Sequence, residues 1–238
     1  MFRFAWIPFL CVFVVGLSVS NTARAHNLFV ILETSKGPDV VNVIFEHSPV
    51  PGKGGYYQPL LTRGKTRIRK LQDAKENVLA IKEVRKNKRT HLQTTTESSS
   101  PRLISHSCTW GIYKGRLDHF HGHFIDATSA EEVDSLAKLS TFPLQIIPTV
   151  TKNGLKLKVA YEGKSLANTK VWMWTPKRKT MVRKTNAAGI IELSAPETGL
   201  WSFAATHTLK NQTGKYNDQP YNGVMYGSTC SIRLPIGQ

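Results

Sequence analysis

Cysteine, acidic residues and long apolar runs are all in short supply in this sequence. Its 238 residues include only Cys11, Cys108 and Cys230. Cys11 sits within an apolar run and lacks the small residues that precede a lipoprotein cysteine, which argues against lipidation. The other two leave one possible pairing. A Cys108–Cys230 bridge would close a loop of about 120 residues, worth roughly 4–5 kcal/mol in the chain-entropy view. Two buried free thiols are the alternative. No histidine or methionine follows either cysteine closely, so a cysteine-ligated copper site is disfavoured.

Asp and Glu number 16 against 32 Lys and Arg, a formal charge of +16. With so few carboxylates, no convincing pair stands out for glycoside hydrolysis. A Gly-x-Ser-x-Gly elbow, a Walker loop and a dinucleotide fingerprint are also missing, and a non-enzymatic role is expected. The basic residues are spread over 53–89 and 152–184 without an arginine-rich block. Neither an RNA-binding aromatic signature nor a helix-turn-helix is visible, so no nucleic-acid partner is expected. The charge reads as a solvated or surface-associating property.

The longest apolar run, Trp6–Val19, covers about 14 residues, short of the roughly 20 that span a bilayer. Arg3 precedes it, and Ala23-Arg24-Ala25 follows with the small-x-small form of a signal-peptidase site. Residues 1–25 are read as a signal peptide rather than a retained anchor, and the protein is expected to be secreted or periplasmic. Losing Arg3 and Arg24 lowers the charge from +16 to +14. Cleavage after Ala25 makes His26 the first residue. Its amine, with a pKa near 8, and its ring, near 6.5, both yield their protons to a metal at neutral pH. Such a nitrogen chelate suits copper(II) or nickel(II). The competing reading is that His26 only marks where the peptidase cuts.

What is present is a series of strand patterns. Asn27–Glu33 and Val40–His47 are rich in β-branched and aromatic residues, with turn chemistry at Lys36-Gly37-Pro38-Asp39 between them. Lys65–Leu71 and Val78–Lys82 follow as short strands. Thr94–Pro101 is polar and breaker-rich and reads as an exposed loop. Cys108–Tyr113 and Leu117–Ile125 form a hairpin around Lys114-Gly115-Arg116. One helix is expected inside Ser129–Leu139, opened by the Ser129/Glu132 capping box and stopped before Pro143. Beyond residue 148, strands recur about every ten residues at 155–161, 169–175, 180–185, 189–193, 199–208 and 228–234. The expected fold class is all-β. It comprises two β-sandwich domains, 26–148 and 149–238, with one short helix in the connection.

Three of the eight histidines crowd into His119-Phe120-His121-Gly122-His123-Phe124. On a strand His119, His121 and His123 share one face, with Phe120 and Phe124 on the other. Two of them plus a distant ligand would suit a metal better than three in line. A solvated face is the alternative.

The C-terminal stretch 161–176, YEGKSLANTKVWMWTP, and its continuation RKTNAAGIIELSAPETGLWSFAATHTLK resemble the transthyretin-like, or carboxypeptidase-regulatory-like, module. Gly163 and Leu166 match its "G-x-P-L", and Thr185–Leu193 matches its "T-D-x-x-G" turn, with Asn186 in place of the usual aspartate. The resemblance implies an Ig-like or transthyretin-like second sandwich. The whole mature chain also resembles an exported bacterial family of unknown function labelled as a periplasmic component of cobalt or nickel transport. The likeness rests on Ala25-His26-Asn27-Leu28-Phe29-Val30, Ala204-Ala205-Thr206-His207, Gly214-Lys215-Tyr216 and Tyr226-Gly227-Ser228-Thr229. It implies His26 and, by position, His207 as ligands.

The expected function is therefore transition-metal binding, of copper or nickel/cobalt, for handling or delivery. His26 would be aided by His207 or by the His119, His121, His123 strand, with a membrane transporter or an anionic envelope surface as partner. The alternative is a scaffolding protein that binds anionic polymers or another protein. Oxidative polysaccharide-cleaving monooxygenases also chelate copper through an N-terminal histidine, but His26 is the only match to them.

Overall fold

The computed structural model describes residues 26–34, 36–53, 56–73 and 75–236. The signal segment expected at 1–25 lies outside the described residues. Strand accounts for 62% and helix for 7% of the described residues, which gives the all-β class expected.

In chain order the elements are β1 (Asn27–Glu33), β2 (Asp39–Glu46), α1 (Gln58–Arg63), β3 (Lys65–Lys70), β4 (Glu76–Leu79), β5 (Lys82–Lys86) and β6 (Arg89–Thr96). Next come β7 (Arg102–Tyr113), β8 (Arg116–Asp126), α2 (Ala130–Ala137), β9 (Leu144–Thr151), β10 (Gly154–Tyr161) and β11 (Lys164–Ser165). The chain closes with β12 (Lys170–Trp174), β13 (Thr180–Lys184), β14 (Ile190–Ser194), β15 (Gly199–Tyr216) and β16 (Gln219–Leu234).

The centre of the fold is an eight-stranded sheet in the order β13-β12-β15-β16-β8-β7-β3-β4. Every neighbouring pair in it is antiparallel except β8 and β16, which run parallel from Leu117↔Val224 to Ile125↔Ile232. This pairing carries the sheet across the boundary expected near residue 149, because β8 lies before it and β16 after it. One face of the sheet packs on β9, β10, β14 and helix α2, through Leu103, Ile125, Phe203 and Ile232 on one side and Val133, Leu157 and Ile191 on the other. The opposite face packs on the second sheet, β1-β2-β6-β5, and on α1.

Hairpin β1–β2 is buried on both sides. Leu28, Val30 and Leu32 join Ile104, Phe120 and Phe124, while Phe29 and Ile31 join Trp174 and Ala204. That explains why Leu28–Leu32 is an unbroken apolar run and not an alternating one. The outer edge of β1 is covered by side chains from β16. Thr229 donates from Oγ1 to the Leu28 carbonyl, and Arg233 donates to the Leu32 carbonyl at 2.9 Å.

Local signals behave as elementary chemistry requires. Ser129 accepts from the Glu132 amide and the Glu132 carboxylate accepts from Ser129, so the capping box opens α2 as expected. The carbonyl oxygen of the Asn186 side chain accepts from the amides of Ala188 and Ile190, both at 2.9 Å. The turn needs only an acceptor there, and an amide supplies one as well as a carboxylate does. Two expectations are corrected and one alternative is decided. Thr94–Thr96 are not loop but the end of β6, paired with Asp39–Val41 of β2. A second helix, α1, follows Tyr57 with proline in its first turn. Cys108 and Cys230 are both free and buried. They sit in the cores on opposite faces of the large sheet, on strands separated by β8. Two strand spacings put them roughly 10 Å apart, beyond the ~7 Å reach of a bridge.

Candidate metal centre

His26 stands just ahead of β1, and the register Asn27↔Glu46 sets it opposite His47, just past the end of β2. Their rings lie 4.2 Å apart between centroids. The His26 ring stacks on Phe45 at 5.4 Å and meets the edge of Tyr56 at 5.5 Å. Phe45 in turn stacks on Trp110 at 4.4 Å and meets Phe120 edge-on at 5.0 Å. The two histidines thus open onto a cleft of about 510 Å³ whose walls include Phe45, Tyr56, Trp110 and Phe120.

The electrostatics favour neutral imidazole. Burial lowers the pKa of His26 below its ordinary value, and His47 lowers it further, against the opposing pull of Glu46. Glu46 Oε2 lies 4.0 Å from His26 Nε2. Its other oxygen, Oε1, is buried with no hydrogen-bond partner among the described residues. Two adjacent imidazoles beside a partly buried carboxylate offer lone pairs and a negative charge to a cation. Among the described residues, however, no three His, Cys, Asp or Glu side chains are grouped so as to hold a metal ion. The donor that side chains leave wanting is one that an α-amine on His26 would provide. With it, two imidazoles and an amine would form a nitrogen donor set of the kind copper(II) or nickel(II) takes.

The other expected ligands lie elsewhere. As anticipated, His119, His121 and His123 share one face of β8, but it is the face turned away from Phe120 and the cleft. His119 meets the Thr109 hydroxyl through Nδ1 at 3.1 Å and stacks on Tyr226 at 5.1 Å. His121 stacks on Phe142 at 4.6 Å and lies 5.5 Å from the His123 ring. Burial pushes the pKa of His121 well below the ordinary value and that of His123 down to about 4. His207 on β15 packs on Tyr161 at 4.6 Å and is separated from His119 by Tyr226, which pairs with both. The sheet therefore brings His26 to His47, and to neither His207 nor the histidines of β8.

Sequence reasoning passed over His47. What reveals it is the strand register: with Glu33 opposite Val40, residue 26 falls opposite 47. It also passed over His106, fully buried on β7, whose Nδ1 meets the Thr66 hydroxyl at 2.8 Å.

No protein-family model matches the chain, and no curated protein matches it. Among solved structures, one from a study of the host cell surface retention of a 1.5-MDa bacterial ice-binding adhesin aligns at 10% identity and a TM-score of 0.23. The alignment covers 90% of this chain and 66% of that one, and a likeness so slight carries no argument about fold or function.

Proposed function

We propose that the protein is an exported transition-metal-binding protein that handles or delivers copper or nickel/cobalt without catalysing a reaction. Processing after Ala25 would free the amine of His26, which together with its own ring and the ring of His47 would hold the ion. The observation that carries this reading is the 4.2 Å approach of the His26 and His47 rings at the mouth of an aromatic cleft. Such a site binds a borderline ion through nitrogen and leaves coordination positions open toward the cleft, where a delivery partner could compete for it. The partner class is a membrane transporter or another metal carrier of the envelope.

The test begins with processing. Protein starting at His26 should bind copper(II) or nickel(II) tightly, and one extra residue ahead of His26 should abolish the tight site with every imidazole intact. Equal binding by the two forms would remove the amine from the site and sink this reading.

One observation favours a second reading, an envelope scaffold that holds anionic polymers. Lys156, Lys158, Lys164, Lys170 and Lys184 are all exposed on the C-terminal half, and such charge attracts polyanions in a salt-dependent way. Salt-sensitive retention on an anionic polymer with no metal affinity would support it over the first.

A further inference from the structure

The large sheet carries a second concentration of polar side chains, on the face turned away from the His26–His47 cleft. Lys65, Arg67 and Arg69 of β3 share that face, and Arg67 and Lys65 pair with Ser105 and Ser107 of β7. Those serines pair in turn with His123 and His121 of β8. Cations, hydroxyls and imidazoles thus form successive rows.

A cavity of about 340 Å³ opens here, lined by Arg67, Arg69, Ser107, His121 and Ser140 among others. That is within the range of small-molecule sites. Its far wall is the segment that follows α2. Phe142 of that segment stacks on His121 at 4.6 Å, and Arg69 donates to the Leu139 carbonyl at 3.2 Å.

The guanidinium groups are already set for oxyanions. Glu76 bridges them, 2.8 Å from Arg67 Nε and 3.0 Å from Arg69 Nη2, and Arg67 also donates to Ser107 Oγ at 3.0 Å. Two guanidinium charges against one carboxylate leave the wall net positive. Four polar atoms of its lining residues are buried and unpartnered among the described residues: Arg69 Nε, Ser140 Oγ and both ring nitrogens of His121. Each such atom costs free energy unless something bonds to it. Their concentration around one cavity is what a ligand site requires.

We infer that this cavity binds a small molecule bearing an oxyanion, phosphate or carboxylate, on Arg67 and Arg69, with the hydroxyls of Ser107 and Ser140 and the His121 ring completing the site. Arginine forks recognise both anions through paired N–H groups. The site is independent of the metal proposed above, since it lies on the opposite face of the sheet.

Calorimetry on the protein beginning at His26 tests it, with inorganic phosphate and acetate as separate probes at fixed ionic strength. Saturable binding of either is expected, phosphate alone indicating a phosphorylated ligand and acetate alone a carboxylate. Arg67→Gln with Arg69→Gln should weaken binding at least tenfold, whereas Glu76→Gln, by removing the internal competitor, should strengthen it severalfold. His47→Ala should leave it unchanged, which separates this site from the metal centre. The inference is overturned by an absence of saturable binding of both probes to wild type and Glu76→Gln alike. It is equally overturned by undiminished affinity in the folded double arginine variant. Should that variant fail to fold, unchanged or weaker binding by Glu76→Gln overturns it alone.

Discussion

Gly122 lies directly beneath the carbonyl of Leu28: a Cβ at position 122 would stand 2.5 Å from that oxygen and 3.0 Å from Thr229 Oγ1. The glycine in the middle of HFHGHF is therefore where β1 crosses β8, and the Leu28 carbonyl is also the acceptor for Thr229. Gly122→Ala should destabilise the fold by about 1–3 kcal/mol, the usual cost of forcing atoms into a packed contact. Denaturant unfolding measures this directly, and an unchanged midpoint would mean that β1 does not press on β8.

The sequence made local structure readable because its signals are local. Lys114 and Gly115 join β7 to β8 as a two-residue turn with φ of 51° and 75°, and Gly115 announces it. Asn217 and Asp218 make the same kind of turn between β15 and β16, at 48° and 61°, yet the strands they join extend well past those expected. The reason is that β15 beyond Thr208 is largely exposed and so reads as loop, having no apolar face. The parallel pairing of β8 with β16 could not be read either. It links residues about 100 apart, and RLDHFHGHFID does not show the all-apolar pattern of a strand covered on both faces. For the same reason the three histidines of β8 resembled a solvated or ligating row, whereas His121 and His123 are buried. His26 was readable as a candidate from its position after the expected signal segment, but its neighbour His47 required a strand register.

If His47 is the second imidazole, His47→Ala should lower copper(II) or nickel(II) affinity at least tenfold. His119→Ala and His207→Ala should stay within about twofold of wild type, because their rings pack on Tyr226 and Tyr161 away from the cleft. Titration of the four proteins, all starting at His26, reads the difference. A loss on removing His207 equal to that on removing His47 would place the ion elsewhere.

Acid should unfold the protein through its buried histidines. Burial pushes the pKa of His106 down to about 3 and that of His123 to about 4, and lowers that of His121 as well. In the unfolded chain each ring takes up its proton near pH 6.5. Below that value the unfolded state holds more protons than the folded one, so stability is full above about pH 6.5 and falls as the pH drops toward the folded values. Each ring contributes a slope of up to about 1.4 kcal/mol per pH unit. The decline should begin between pH 6.5 and 5, before ordinary carboxylates titrate, and His106→Asn should flatten it. A stability profile level down to pH 5 would contradict this.

Arg102 is almost wholly buried and ties three segments together. Its guanidinium pairs with Asp39 at the start of β2, meets Asp126 Oδ2 at the end of β8 at 2.8 Å, and donates to the Glu97 carbonyl. It is thus a fastening between the β1–β2 sheet and the large sheet, at the far end of the hairpin from His26. Arg102→Met keeps much of the volume but leaves Asp39 and Asp126 as neighbouring carboxylates with their common cation gone. Breaking one side of a buried pair in this way costs roughly 3–5 kcal/mol, enough to bring a marginal fold near its midpoint at ordinary temperature. Adding Asp39→Asn should recover part of that loss, because it relieves the repulsion between Asp39 and Asp126. Adding an Asn change at the exposed Asp73 should recover none. A double-mutant cycle by thermal or denaturant unfolding measures the coupling, and strictly additive losses for Arg102→Met and Asp39→Asn would show that the two side chains do not act as a pair.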